Sequence, residues 1–184
     1  MSHISVKILF IFCVYAFFSS ALADSAQERR VTISASLFPR IVAVDTQLME
    51  KLDAEDNVRL GVVYTKNKSL AKKISKLITR KVKKISGKTI VVDLIQENRA
   101  SSMYGVSGVL IVEPILNTTF SMLLEHARKK NIILFSPFEG DVERGFTAGI
   151  FVGAKIRPYF NLNTLSSTKV KLNPAILKVA KTYE

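Results

Sequence analysis

Three acidic residues follow two apolar runs of the sequence and are the side chains best placed to do chemistry. Glu113 comes directly after the run Val109-Leu-Ile-Val112, and Glu139 and Asp141 come shortly after Asn131-Ile-Ile-Leu-Phe135. If these runs are parallel strands in the common doubly wound order, their carboxyl ends meet at the sheet edge where open α/β folds bind ligands. Paired carboxylates at such an edge can act as general acid and general base. A polar turn accounts more simply for the last two acids.

No nucleophile and base accompany these carboxylates in a recognisable catalytic pattern, so we expect no catalytic residues and no enzyme activity. His126 is the only histidine after residue 23, and only the adjacent Glu125 could share a metal with it. Metal sites use three or four protein ligands, so we expect no metal site. The stretch Gly105-Val-Ser-Gly108 lacks the Walker lysine and the GxGxxG spacing, which indicates a turn rather than a phosphate loop. We therefore expect no cofactor.

The segment from Lys66 to Lys88 contains ten basic residues and no acidic residue. Like charges spaced by four on a helix repel each other, so a purely solvent-exposed face usually mixes signs. The segment is either an ordinary surface helix or a docking face for an anionic surface or partner. Aromatic residues for stacking bases are absent from it, which disfavours nucleic acid. The candidate docking residues are Lys72, Lys73, Lys76, Arg80, Lys83 and Lys84.

Runs of branched apolar residues predict the sheet that would position these side chains. Such runs are typical of strands buried on both faces of a parallel sheet. We expect four of these strands, with Val109–Val112 in the interior, followed by a hairpin across Gly153-Ala154 whose second strand contains Pro158 and is therefore an edge or bulged strand. The fold class is α/β, a three-layer sandwich with a mainly parallel sheet and a C-terminal hairpin plus helix. The expected strands are 58–64, 89–95, 108–112 and 131–135, with the hairpin formed by 146–152 and 155–161.

Apolar spacings of three and four predict the helices between these strands. One helix runs from a cap at Ser69 to Gly87, and another starts at Asn117 or Thr118 and ends in Arg128-Lys-Lys130. Residues 31–45 also favour a helix, although the alternation there permits a strand, and residues 24–30 suit a frayed terminus. A last helix over 172–181 has Asn173 as its cap and Pro174 as its first residue.

The first 23 residues have the order of a secretory signal. Lys7 precedes the apolar run Ile8–Phe18, and Ala21-Leu-Ala23 supplies a cleavage site, which predicts a mature chain of one domain over residues 24–184 in the periplasm. A retained membrane anchor is the alternative, but the apolar run is short for a span. Cys13 lies inside this run, so the mature chain would contain no cysteine and no disulfide.

The formal charge of +12 falls to +11 when Lys7 is removed with the leader. An exported and strongly basic protein is expected to meet anionic surfaces such as lipid headgroups, cell-wall polymers or an acidic protein. Export disfavours nucleic acid as a partner, and the sequence is compatible with a homodimer.

The closing segment resembles that of the YfiR/HmsC-like family of exported bacterial proteins. The resemblance rests on Gly-Ile-Phe-Val-Gly-Ala-Lys-Ile-Arg-Pro-Tyr-Phe-Asn-Leu-Asn followed by Val-Lys-Leu-Asn-Pro-Ala-Ile-Leu-Lys-Val-Ala, and it extends less specifically over the upstream strands and helices. The family pattern is a glycine before a strand, a basic and apolar strand ending in Asn-Leu, and two closing helices. The residues that match it are Gly149, Arg157, Asn161, Leu162, Leu177 and Ala180.

The resemblance implies a periplasmic regulatory protein that restrains an inner-membrane diguanylate cyclase by binding its periplasmic domain, which would control cyclic di-GMP and biofilm formation. Gly149, Arg157 and Asn161 would then be structural, with Arg157 pairing with Glu139 or Asp141. Better-known members carry disulfides and a Trp-Pro segment, whereas this chain has no tryptophan and only Leu37-Phe-Pro39 in that place. The alternative function is a periplasmic solute-binding module related to one lobe of a substrate-binding protein, with the ligand at the sheet edge near Glu113, Glu139 and Asp141.

Overall fold

An eight-stranded sheet forms the centre of the computed structural model, which describes residues 25–103 and 105–184. The strand order is β2-β3-β1-β4-β5-β6-β7-β8. In chain order the strands are β1 Val58–Tyr64, β2 Lys84–Ile85, β3 Lys88–Gln96, β4 Gly108–Ile111, β5 Ile133–Ser136, β6 Ala148–Val152, β7 Ile156–Asn161 and β8 Lys181–Tyr183. The predicted signal peptide with Cys13 lies outside the described residues.

The five adjacent strands β3, β1, β4, β5 and β6 are parallel to one another, which confirms the predicted fold class. β4 lies in the interior between β1 and β5, and all four of its residues are buried. This burial on both faces explains its uninterrupted branched apolar sequence. β2 and β7 run antiparallel to their neighbours β3 and β6, and β8 runs parallel to β7.

Helices cover both faces of this sheet. The helix α1 over residues 25–43 and α2 (Lys68–Lys81) pack on one face, where Phe38 and Ile74 join Leu60 and Phe135 in one core cluster. α3 (Asn117–Lys130) and a 3-10 helix (Glu97–Ser102) pack on the other face, where Leu123 contributes to a second cluster. Short helices complete the fold: a 3-10 helix at Leu48–Lys51, α4 at Asp141–Arg144, α5 at Leu162–Thr168 and α6 at Pro174–Leu177.

The helix predicted for residues 31–45 is confirmed as part of α1, whereas the expected fraying of residues 24–30 is wrong for the part that is described. Residues 25–30 are helical, and Arg30 and Glu28 bond to other parts of the fold. Polar composition alone did not indicate these contacts, because their partners lie far away in the sequence.

The predicted end of the basic helix is wrong. α2 ends at Lys81, its cap is Asn67 rather than Ser69, and Lys84 belongs to β2, with Lys83 in the bend before it. Gly87 is therefore no helix cap but part of the tight turn between β2 and β3, where it has φ of 84°. The apolar spacing continues through Ile85 because that residue is buried against the same core from a strand.

The C-terminal region differs from the prediction in its last element. The β6–β7 hairpin is confirmed, although its connection is three residues long because Val152 pairs with Ile156. Asn173 caps a helix that starts at Pro174, as expected, but this helix ends at Leu177. Residues Lys181–Tyr183 then pair in parallel with β7 from Tyr159 onwards, so Pro158 lies just before the paired part.

Candidate functional site

A cleft of about 410 Å³ lies at the carboxyl edge of the parallel sheet, between α1 and the loop that joins β1 to α2. Its position follows from the topology, because β1 and β4 end here and their connections diverge to opposite faces of the sheet. Polar and charged side chains line most of it, and one aromatic ring contributes an apolar wall. The lining residues used below are Gln27, Glu28, Asn67, Lys73, Glu113 and Phe138.

Glu113 holds the β1–α2 loop in place. Its Oε2 accepts hydrogen bonds from the backbone N–H groups of Thr65, Lys66 and Asn67, at 2.9, 3.1 and 2.8 Å. The Thr65 hydroxyl also donates to the carbonyl of Pro114. A carboxylate of the protein therefore occupies the backbone donors that would otherwise attract an anionic ligand at this strand end.

Two charged side chains of opposite sign face each other across the mouth of the cleft. Lys73 of α2 forms an ion pair with Glu28 of α1, with 2.5 Å between Nζ and Oε1. Both side chains are at least half exposed, so solvent weakens this pair and each charge remains accessible. The Asn67 side chain accepts from the N–H of Leu70 and so caps α2 below them.

A second cleft of about 510 Å³ adjoins the first and contains the other two predicted acids. Asp141 is buried, and both of its carboxylate oxygens accept hydrogen bonds, one from the Ser136 hydroxyl at 2.6 Å and the other from Arg144 at 2.7 Å. Glu139 is exposed. The two acids thus share a cleft, while Glu113 lies in the first one, and Phe138 and Pro114 line both.

Two of the three motif residues near the C-terminus, Gly149 and Asn161, are buried, and Arg157 is exposed. Gly149 packs closely on the carbonyl of Ser136 and on Val142. Asn161 donates to the carbonyl of Val142 and accepts from Thr164, which caps α5. Arg157 lies over the ring of Phe151 at 5.7 Å, and Asp141 pairs with Arg144 instead of with Arg157.

His126 lies half-buried on α3. Burial lowers its pKa, and the nearby Lys130 and Lys129 add to this effect. Within residues 25–103 and 105–184, no group of three or more His, Cys, Asp or Glu side chains is arranged to hold a metal ion.

The predicted docking residues come from α2 and from the segment that enters β2. All six are exposed, and Lys73 is the one that also lines the cleft. In the part of the chain that the structure describes, no helix combines the length and apolar character needed to cross a bilayer.

Sequence reasoning found Glu113, and it named Lys73 as a docking residue, but it missed the other residues of the cleft. The position of Asn67, shortly after a predicted strand, could have indicated a site residue, because loops after parallel strands form ligand sites in such folds. Gln27 and Glu28 carried no such signal, since they reach the cleft only through the packing of α1.

No protein-family model matches the chain, and no curated protein matches it in sequence. Two solved structures resemble its fold. One is an ABC domain from Streptococcus pneumonia in complex with L-Trp, with 10% identity and a TM-score of 0.53 over 77% of this chain and 61% of that one. The other is a conserved domain protein from Vibrio cholerae, with 13% identity and a TM-score of 0.50 over 78% and 60%. The chain spans about three fifths of each structure.

Proposed function

We propose that the protein is a non-catalytic binding module whose carboxyl-edge cleft takes a small zwitterionic solute such as an amino acid. The observation that carries this proposal is the cleft itself, with Lys73 and Glu28 exposed at its mouth and Phe138 in its wall. Its volume of about 410 Å³ lies within the range of small-molecule sites.

The charged side chains of the cleft favour a ligand that carries both a positive and a negative charge. A ligand carboxylate fits Lys73 and a ligand ammonium group fits Glu28, so a zwitterion replaces one solvent-weakened ion pair with two charge-assisted contacts. A phosphate fits poorly, because Glu113 already occupies the backbone donors of the loop. The L-Trp bound to the Streptococcus domain makes amino acids the first probes to test.

We expect an amino acid to raise the thermal midpoint of the protein, because a ligand that binds only the folded state stabilises it. Lys73→Gln should weaken this binding about tenfold, since it removes one hydrogen bond to a charged group. Thermal melts with and without each proteinogenic amino acid measure the first effect, and calorimetric titration of L-tryptophan and the other amino acids measures the second.

Lys129→Gln is the matched control. Lys129 is also exposed and paired with an acid, Glu125, but it does not line the cleft. Equal affinities for the Lys73 and Lys129 variants, or the absence of any shift across the amino acids, would rule out this cleft as an amino-acid site.

A second proposal is the regulatory role that the family resemblance implies: a periplasmic protein that restrains a membrane diguanylate cyclase. In support, Gly149 and Asn161 meet at Val142 in the fold, so these two matching residues belong to one tertiary unit rather than to scattered positions. Deleting the gene should raise cellular cyclic di-GMP, and re-expression should reverse the rise. An unchanged cyclic di-GMP level after deletion would remove this role.

A further inference from the structure

Six exposed basic side chains come from α2 and the start of β2, and we call them the basic ridge: Lys72, Lys76, Arg80, Lys81, Lys83 and Lys84. The first four lie on α2, and the last two lie in and just before β2, at the outer edge of the sheet. None of the ion pairs among the described residues involves any of these six side chains.

The cations of the ridge on α2 lie close enough to repel one another. Lys72, Lys76 and Arg80 follow one another at spacings of four and therefore repel along the exposed side of α2. The helix C-terminus favours Arg80 and Lys81, but it offers nothing to Lys72 and Lys76. An anionic partner on this side relieves the repulsion of the whole row.

The shape and chemistry of the ridge select the kind of partner. None of the clefts described above is lined by a ridge residue, so the ridge is an outer surface of a helix and a strand rather than a groove. Five of its six cations are lysines, whose flexible point charges suit a mobile array of anions better than the fixed bidentate pairing typical of arginine. The segment also lacks aromatic residues for stacking bases.

We propose that the basic ridge docks on a membrane surface rich in anionic phospholipid. Lipid headgroups move laterally, so they gather beneath a convex row of cations without a shaped counterpart. The ridge does not include Lys73, so lipid docking and solute binding use separate residues.

Vesicle sedimentation tests this docking on protein recovered from an export-competent bacterial host. Vesicles of phosphatidylcholine with phosphatidylglycerol should bind the protein, vesicles of phosphatidylcholine alone should not, and added salt should weaken the binding. The variant Lys72→Gln, Lys76→Gln, Arg80→Gln and Lys84→Gln should lower the partition coefficient at least about 100-fold, because each cation near an anionic surface contributes to binding.

A second fourfold variant carries the same change of net charge away from the ridge: Lys130→Gln, Lys155→Gln, Lys171→Gln and Lys178→Gln. All eight positions are exposed, so both variants should keep their thermal midpoints. Equal losses in the two variants would show that net charge alone drives binding and would overturn the proposal. Retention of binding by the ridge variant would overturn it as well. Displacement from vesicles by an equal charge concentration of polyglutamate would point to an acidic protein partner instead.

Discussion

Replacing Lys51 with methionine should lower the free energy of unfolding by about 3–5 kcal/mol, because it leaves the carboxylate of Asp45 buried without its counter-ion. The two side chains form an ion pair and are 7% and 1% exposed. Lys51 also donates to the carbonyl of Asn131 at 2.5 Å, beyond the C-terminus of α3. Asp45 accepts from the N–H of Gln47. Chemical denaturation of the purified protein measures the loss.

The double variant Asp45→Asn with Lys51→Met separates the charge effect from the loss of packing. Because it removes both charges, it should recover most of the stability lost in the single variant. If the double variant is as unstable as Lys51→Met, the loss comes from the broken contact with Asn131 and the missing packing of the lysine stem rather than from an unpaired charge.

Gly149→Ala should also destabilise strongly, by about 3 kcal/mol or more, because the added methyl group has no room. A Cβ at this position would lie 2.6 Å from the backbone oxygen of Ser136 and 2.7 Å from Cγ2 of Val142. The first of these atoms belongs to the neighbouring strand β5, so relief requires the sheet itself to shift. The thermal midpoint and denaturant midpoint report the change.

Gly61→Ala is the control, since Gly61 is also a buried glycine within a parallel strand. A Cβ there would meet Cδ1 of Ile95 at 2.8 Å, which is the far end of a side chain that can rotate. We expect a cost of about 1 kcal/mol. Similar losses in the two variants would mean that the fixed backbone atom beside Gly149 is not what limits this position.

The sheet could be predicted because its signals are local. The branched apolar run of β4 indicates burial on both faces whatever its neighbours are, and the confirmed cap at Asn173 depends only on the two residues after it. Where the prediction was wrong, distant pairing decided the structure. Lys84 leaves the helical pattern because β2 pairs with β3, and Lys181 leaves it because β8 pairs with β7.

The candidate site also combines features set by local sequence with features set by distant contacts. The sequence by itself determined that Glu113 follows a buried strand and that a basic segment follows β1, because strand burial and charge are properties of adjacent residues. Only the tertiary structure decided that Glu113 binds the loop after β1 and that Glu28 meets Lys73 at the cleft, since these partners lie 46–48 and 45 residues apart. Such contacts depend on how whole elements pack against one another, and no local pattern encodes that packing.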